Sequence, residues 1–261
     1  VAGEAHLSEK SKNPSGQGGL IVNGKTLEMR NANSSRAEFV VTGTPCTIQS
    51  QGLTMSGNRV FLNQFTNQMR IDGPGWMTLP LDRDLDGQPL AQPEKIRTSW
   101  QGRMKFDGAQ IHFEGEVDVR ATNRWITSDL LVATLSRRID FTGEVSRDTD
   151  DLLRRVEFTG HVRVENRTYK ERQLVSVDTL DLRFLSMDHR TGKIFGTGPG
   201  EVTTIRTGQS ESALWSRSPG QLPTRESDTN GLVLINVAFQ KAMQGNFHQR
   251  QIHFEDEVVT V

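Results

Sequence analysis

The stretch Ile111-His-Phe-Glu-Gly-Glu-Val117 decides the fold, because the chain writes it again, almost unchanged, as Ile252-His-Phe-Glu-Asp-Glu-Val258. Two looser copies lie between them, Ile139-Asp-Phe-Thr-Gly-Glu-Val145 and Val156-Glu-Phe-Thr-Gly-His-Val162. In each copy apolar residues hold positions one, three and seven, and polar or small residues hold the even positions. That is period two, the pattern of a strand with one dry and one wet face. A chain that repeats one strand builds a stacked β-architecture. Such an object offers a surface or groove more readily than a compact catalytic pocket.

Other elements recur in the same order. Ile71-Asp-Gly-Pro-Gly-Trp-Met-Thr78 is matched by Phe195-Gly-Thr-Gly-Pro-Gly-Glu-Val-Thr203. Each is followed by a polar insertion, read as a loop over 80–95 and over 207–230. Each insertion leads into an alternating run, Trp100–Phe106 or Leu232–Phe239, and then into the Ile-His-Phe-Glu strand. This order predicts two related β modules, 37–147 and 154–261, the second continuous with the first, with a partial repeat at 1–36. The fold class read from the pattern is all-β: an elongated open jellyroll or solenoid-like stack of antiparallel strands. Turn signals every 8–12 residues between short alternating runs agree with this.

Bulk composition narrows the function classes. The 261 residues are 34% hydrophobic, which suits a thin core better than a thick one, and abundant glycine favours turns over helices. The formal net charge is −1 with signs interspersed, so no basic stripe marks a nucleic-acid partner. No run of about 18 apolar residues is present to span a bilayer as a helix. The chain begins at Val1 without Met and ends on a strand-like run, so it reads as part of a longer protein whose address is not visible. The lone cysteine, Cys46, forms no internal disulfide and reads as a small buried residue.

Candidate chemistry is sparse. His112, Glu114 and Glu116 share a strand face, as do His253, Glu255 and Glu257, a donor set suited to a divalent metal. The sister strands replace them with Asp140, Thr142, Glu144 and with Glu157, Thr159, His161, which reads as a solvated face. Asp82-Arg-Asp-Leu-Asp-Gly87 matches the first half of a calcium loop, with Asp82, Asp84 and Asp86 as candidate ligands. The distal acid is displaced: position 93 is Pro93 and Glu94 comes one residue late. The Gly-Pro-Gly turns lack a following helix and a Lys-Ser/Thr pair, so they read as chain reversals, not phosphate cradles. Neither a Gly-x-Ser-x-Gly elbow nor a Cys–His pair is found, no catalytic residue is assigned, and no cofactor is expected.

The apolar row is the more informative feature. Ile111, Phe113, Val117 and Val119 share one face. So do Ile139, Phe141 and Val145, as well as Val156, Phe158, Val162 and Val164. Ile126, Ile252, Phe254 and Val258 join them. Side by side these rows form either a closed core or a slot suited to acyl chains. A strand of nine residues spans about 30 Å, so rows set side by side make a long trough.

One phrase carries a resemblance. Phe113-Glu-Gly-Glu-Val-Asp-Val119, then Trp125-Ile-Thr-Ser-Asp-Leu-Leu-Val132, then Ile139–Val145 is similar to the OstA-like periplasmic bridge proteins of lipopolysaccharide transport. Val156–Val164 with Leu174–Leu180 repeats the phrase, and Ala37–Gly43 does so more weakly. The resemblance covers most of the chain from about residue 20. It implies an open, twisted β-jellyroll with an apolar interior that shields acyl chains, and periplasmic or cell-envelope location. It also implies edge-to-edge pairing with like partners and no catalytic residues. The insertions at 80–95 and 207–230 depart from the family pattern. The competing readings are a structural or assembly scaffold with a closed core and, more remotely, a carbohydrate-active solenoid enzyme, which needs a marked pair of acids.

Overall fold

A computed structural model describes residues 5–8, 21–31, 34, 36–50, 53–83, 89–139, 153–207, 232–249, 251–255 and 258–260. Among them every regular element is a strand, and the strand pairings are antiparallel. The all-β, jellyroll-like class read from the repeats is therefore the class observed. No helix of the described residues is long and apolar enough to cross a membrane.

The chain divides into two compact units. The first comprises Val1–Thr122 and Asp129–Val156, the second Asn123–Ser128 and Glu157–Val261. The strands of the first are β1 (Ala5–Ser8), β2 (Ile21–Gly24), β3 (Thr26–Arg30), β4 (Glu38–Ser50), β5 (Leu53–Asn63), β6 (Gln68–Arg83), β7 (Pro89–Trp100), β8 (Arg103–Phe106) and β9 (Gln110–Arg120). Two strands, β10 (Arg124–Leu135) and β11 (Leu153–Lys170), contribute residues to both units. The second holds β12 (Gln173–Asp188), β13 (Lys193–Thr197), β14 (Gly200–Thr207), β15 (Leu232–Phe239), β16 (Ala242–Asn246), β17 (Gln251–Glu255) and β18 (Val259–Thr260).

Long strands of the first unit each serve two ladders. One ladder runs β3, β4, β5, β6, β8, β9 and uses Glu38–Thr42 of β4, Arg59–Asn63 of β5 and Gln68–Asp72 of β6. The other runs β1, β2, β4, β5, β6, β7, β9 and uses Cys46–Ser50, Leu53–Gly57 and Gly75–Arg83 of the same three strands. Between the halves the register shifts at Thr42/Cys46 and at Gly57/Arg59, the bulges that let a strand bend from one ladder into the next. Gly73-Pro-Gly75 sits at this corner inside β6. It is a bend within a continuing strand, where the sequence suggested a chain reversal.

The corner explains the repeated phrase. Gly115 falls on the dry face, where period two calls for an apolar side chain, yet β9 passes hard against Gln101-Gly102. The Gln101 amide donates to Gly115 O at 2.7 Å and the Gly102 amide to Glu114 O at 2.9 Å. A Cβ on Gly115 would lie 2.9 Å from Gly102 N, and Gly115 and Glu116 adopt φ of 85° and 45°. Gly160 and His161 of β11 repeat this left-handed pair at 74° and 44°. At Gly115 the fifth position is glycine because a backbone fills the space a side chain would need.

The pairing scheme of β6 to β9 occurs again in the second unit. There β13 and β14 take the place of the two halves of β6, with Gly198-Pro-Gly200 between them. β16 pairs with β13 as β8 does with β6, and β15 pairs with β14 as β7 does with β6. β17 and β18 close the scheme against β16 and β15, as the two halves of β9 do against β8 and β7. A tilted aromatic pair marks each corner, Trp100 with Phe113 and Phe239 with Phe254, both at 5.2 Å between ring centroids. The expected loop over 80–95 is largely hairpin: β6 continues to Arg83, β7 starts at Pro89, and Leu79 faces Ile96. Residues 208–231 and 140–152 lie outside the described residues.

Candidate functional site

The apolar residues form rows across the strands. In the first unit Leu27, Val41, Val60, Ile71, Met104 and Phe113 stand opposite one another in sequence from β3 to β9. Val41, Val60, Ile71, Met104 and Phe113 are all buried, so this row is sealed. Two residues further from the corner runs a second row: Met29, Phe39, Leu62, Met69, Phe106 and Ile111. Here only Met69 and Phe106 are buried. Phe39, Leu62 and Ile111 are half-buried and Met29 is 42% exposed. Strands lie about 4.8 Å apart, so six of them give a row about 24 Å long. An acyl chain laid across the strands would find a side chain at each step.

In the second ladder Val22, Ile48, Met55, Met77, Thr98 and Val119 make a third row, all buried except half-buried Met77.

The second unit repeats the rows with less cover. Leu185, Gly196, Met243 and Phe254 correspond to the sealed row, and Met187, Ile194, Gly245 and Ile252 to the open one. Gly245 stands where Phe106 fills the first unit, leaving that row thinner. Phe254 and Ile252 are half-buried, and Val258 is 46% exposed where its counterpart Val117 is 1% exposed. In the first unit Leu131, Ala133 and Leu135 of β10 are buried, and the Leu135 amide donates to Ala109 O at 2.8 Å. No described strand takes that place beside β17 and β18 in the second unit.

Most residues singled out from sequence are buried. Phe113, Val117, Val119 and Val156 are so in the first unit, and Ile126, Phe158, Val162 and Val164 in the second. Ile111, Ile139, Ile252 and Phe254 are half-buried. Phe141 and Val145 lie outside the described residues. The accessible lining therefore combines Ile111 with Met29, Phe39 and Leu62, which the strand-by-strand reading missed. Their signal was present in Phe39 and Met29, each placed in an alternating run.

The polar candidates are engaged elsewhere. Glu114 pairs with Arg103 at 2.6 Å and with Lys105 at 3.2 Å. Burial pushes its carboxyl up, but these two cations outweigh that and hold it below the usual carboxylate range. His112 Nε2 lies 3.3 Å from Gln110 Oε1. Among the described residues no three His, Cys, Asp or Glu side chains come together as a metal site. Asp84 and Asp86 lie outside the described residues, as does the side chain of Asp82. The buried Cys46 thiol donates to Gly57 O at 3.0 Å, and burial pushes it up, away from a reactive thiolate.

A recess of about 280 Å³ opens at the first unit's corner, lined by Pro45, Ser56, Pro74, Trp76 and Trp100 among others. Arg97 stacks on Trp76 at 4.6 Å and Trp100 Nε1 donates to Gly73 O at 3.1 Å. The recess falls below the ~300–1,000 Å³ of ordinary small-molecule sites and is too small for a lipid tail. Comparison with protein-family models matches no family, and comparison with curated proteins finds no relative.

Proposed function

We propose that this chain is a non-enzymatic lipid carrier of the cell envelope, binding the acyl chains of a lipopolysaccharide-like glycolipid in its apolar jellyroll rows. The observation that supports this best is the accessible row Met29, Phe39, Leu62, Met69, Phe106 and Ile111, apolar at every step across six strands. A row that only sealed a core would be buried across its strands, as its neighbour is from Val41 to Phe113. Each methylene moved from water into such a groove contributes about 0.8 kcal/mol, so a long tail binds without any energy source in the chain. In this reading the chain works in the periplasm, serves outer-membrane assembly, and joins like partners through unpaired strand edges.

Displacement of a fluorescent fatty-acyl probe tests the reading. Saturable binding, weakened by Met29→Asp or Leu62→Asp, is the expected result. Absence of probe binding would favour a second reading, an assembly scaffold. The sealed row through Val41, Val60, Ile71, Met104 and Phe113 is the observation that supports that alternative.

A further inference from the structure

At one end of the second unit the outer face of the sheet becomes apolar. Along β12 and β14 the buried residues Ser176, Asp178, Val202 and Thr204 define the inner face. Near the start of β12 the inner positions of β12 and β14 are polar, with Asp178 accepting from Thr204 Oγ1 at 2.8 Å and Ser176 opposite Arg206, while β15 sets Ile235 opposite Thr204 and Val233 opposite Arg206. The outer face there is apolar. Val177 stands opposite Ile205, Ile205 opposite Leu234, and Thr207 opposite Leu232. Ile205 is 43% exposed, Leu234 62% and Leu232 77%. The next outward rung, Thr179, Thr203 and Asn236, is polar again, so the apolar surface is confined to this end.

The turn at Glu171-Arg172 joins β11 to β12 beside this surface, three to five residues from Val175 and Val177 along the strand. Tyr169 and Leu174 flank it, 45% and 46% exposed. Lys170 and Arg172 supply positive charge against Glu171, while Arg167 is paired with Glu165 at 2.6 Å. Exposed leucine and isoleucine, an amphipathic tyrosine and a basic rim are the chemistry of the bilayer interface, where apolar side chains enter the headgroup boundary and cations meet anionic lipid. We propose that this end of the second unit docks on the surface of an anionic lipid bilayer.

Flotation of the full chain with phosphatidylcholine vesicles, with and without phosphatidylglycerol, tests the proposal and needs no guest in the interior, so it stands or falls separately from acyl binding. The chain is expected to float with the anionic vesicles, less so as salt rises. The double change Leu232→Ser and Leu234→Ser should lower the bound fraction about tenfold, because binding scales with apolar area inserted. Both side chains are exposed, so thermal unfolding should not shift. Lys170→Glu with Arg172→Glu should abolish the preference for phosphatidylglycerol. The proposal is overturned if the chain stays unbound with both vesicle types, or if both variants float like the parent. It is equally overturned if the leucine variant only converts an oligomer to a smaller species by light scattering, which would make the patch an interface between copies.

Discussion

Phe113 and Phe254 occupy corresponding places in the two units, and truncating each to alanine should have unequal consequences. Phe113 is 2% exposed, contacts Trp100 at 5.2 Å and ends the sealed row after Met104. Its removal loses the full transfer energy of a phenyl ring and leaves a cavity among buried neighbours that strands cannot collapse to fill. The expected cost is about 3–5 kcal/mol. Phe254 has the same tilted contact with Phe239 but is only half-buried. The exposed part of its ring returns no transfer energy, and water can enter the space left behind. Its cost should be about 1–2 kcal/mol. Urea unfolding followed by circular dichroism and tryptophan fluorescence measures both, and Trp100 lies close enough to Phe113 to report the first unit directly. Equal destabilisation by the two substitutions would refute the distinction between a sealed first row and an uncovered second one.

Gly75→Ala should destabilise the first unit by about 2 kcal/mol or more, because the new Cβ would sit 2.6 Å from Ser56 O and from Trp100 Cζ2, an overpacked site read by the same unfolding assay. Met29→Asp should weaken acyl-probe binding about tenfold while moving the melting temperature little, since Met29 is exposed; a large loss of stability with unchanged binding would place the row in the core instead. At Asp107, burial raises the carboxyl, but the amides of Ala109 and Gln110, with His112 and Arg138, hold it below its usual range. A depressed folded-state value means stability that is present above the unfolded value and lost as pH falls through about 4 and below. Asp107→Asn should flatten that acid limb of the stability curve, and an unchanged limb would remove Asp107 from the account.

Strand type was legible from a few residues. The alternation in Ile111–Val117 and its copies is local, and a strand with one buried face needs nothing more to be recognised. What local pattern could not supply was the path of the strand. Gly115 occupies a dry-face position with no side chain, and its reason is a neighbouring backbone about a dozen residues earlier, at Gln101-Gly102. Gly73-Pro-Gly75 looked like a reversal because both residue types end strands, yet paired neighbours on either side carry β6 through the bend. Likewise Pro80 and Pro93 suggested a loop, whereas Pro80 is in register with Lys95 in a hairpin. The candidate groove was the least legible feature. Each strand contributes a single residue to a row, and Met29 meets Ile111 only through four intervening strands. A reading along the chain sees buried positions well and sees rows across it poorly.

Native mass spectrometry of the gently purified chain tests the central claim most directly. The account predicts adducts with the mass of an acylated lipid, retained by Phe254→Ala and lost on Met29→Asp with Ile111→Asp. A bare polypeptide mass from every preparation, or adducts indifferent to the open row, would contradict it.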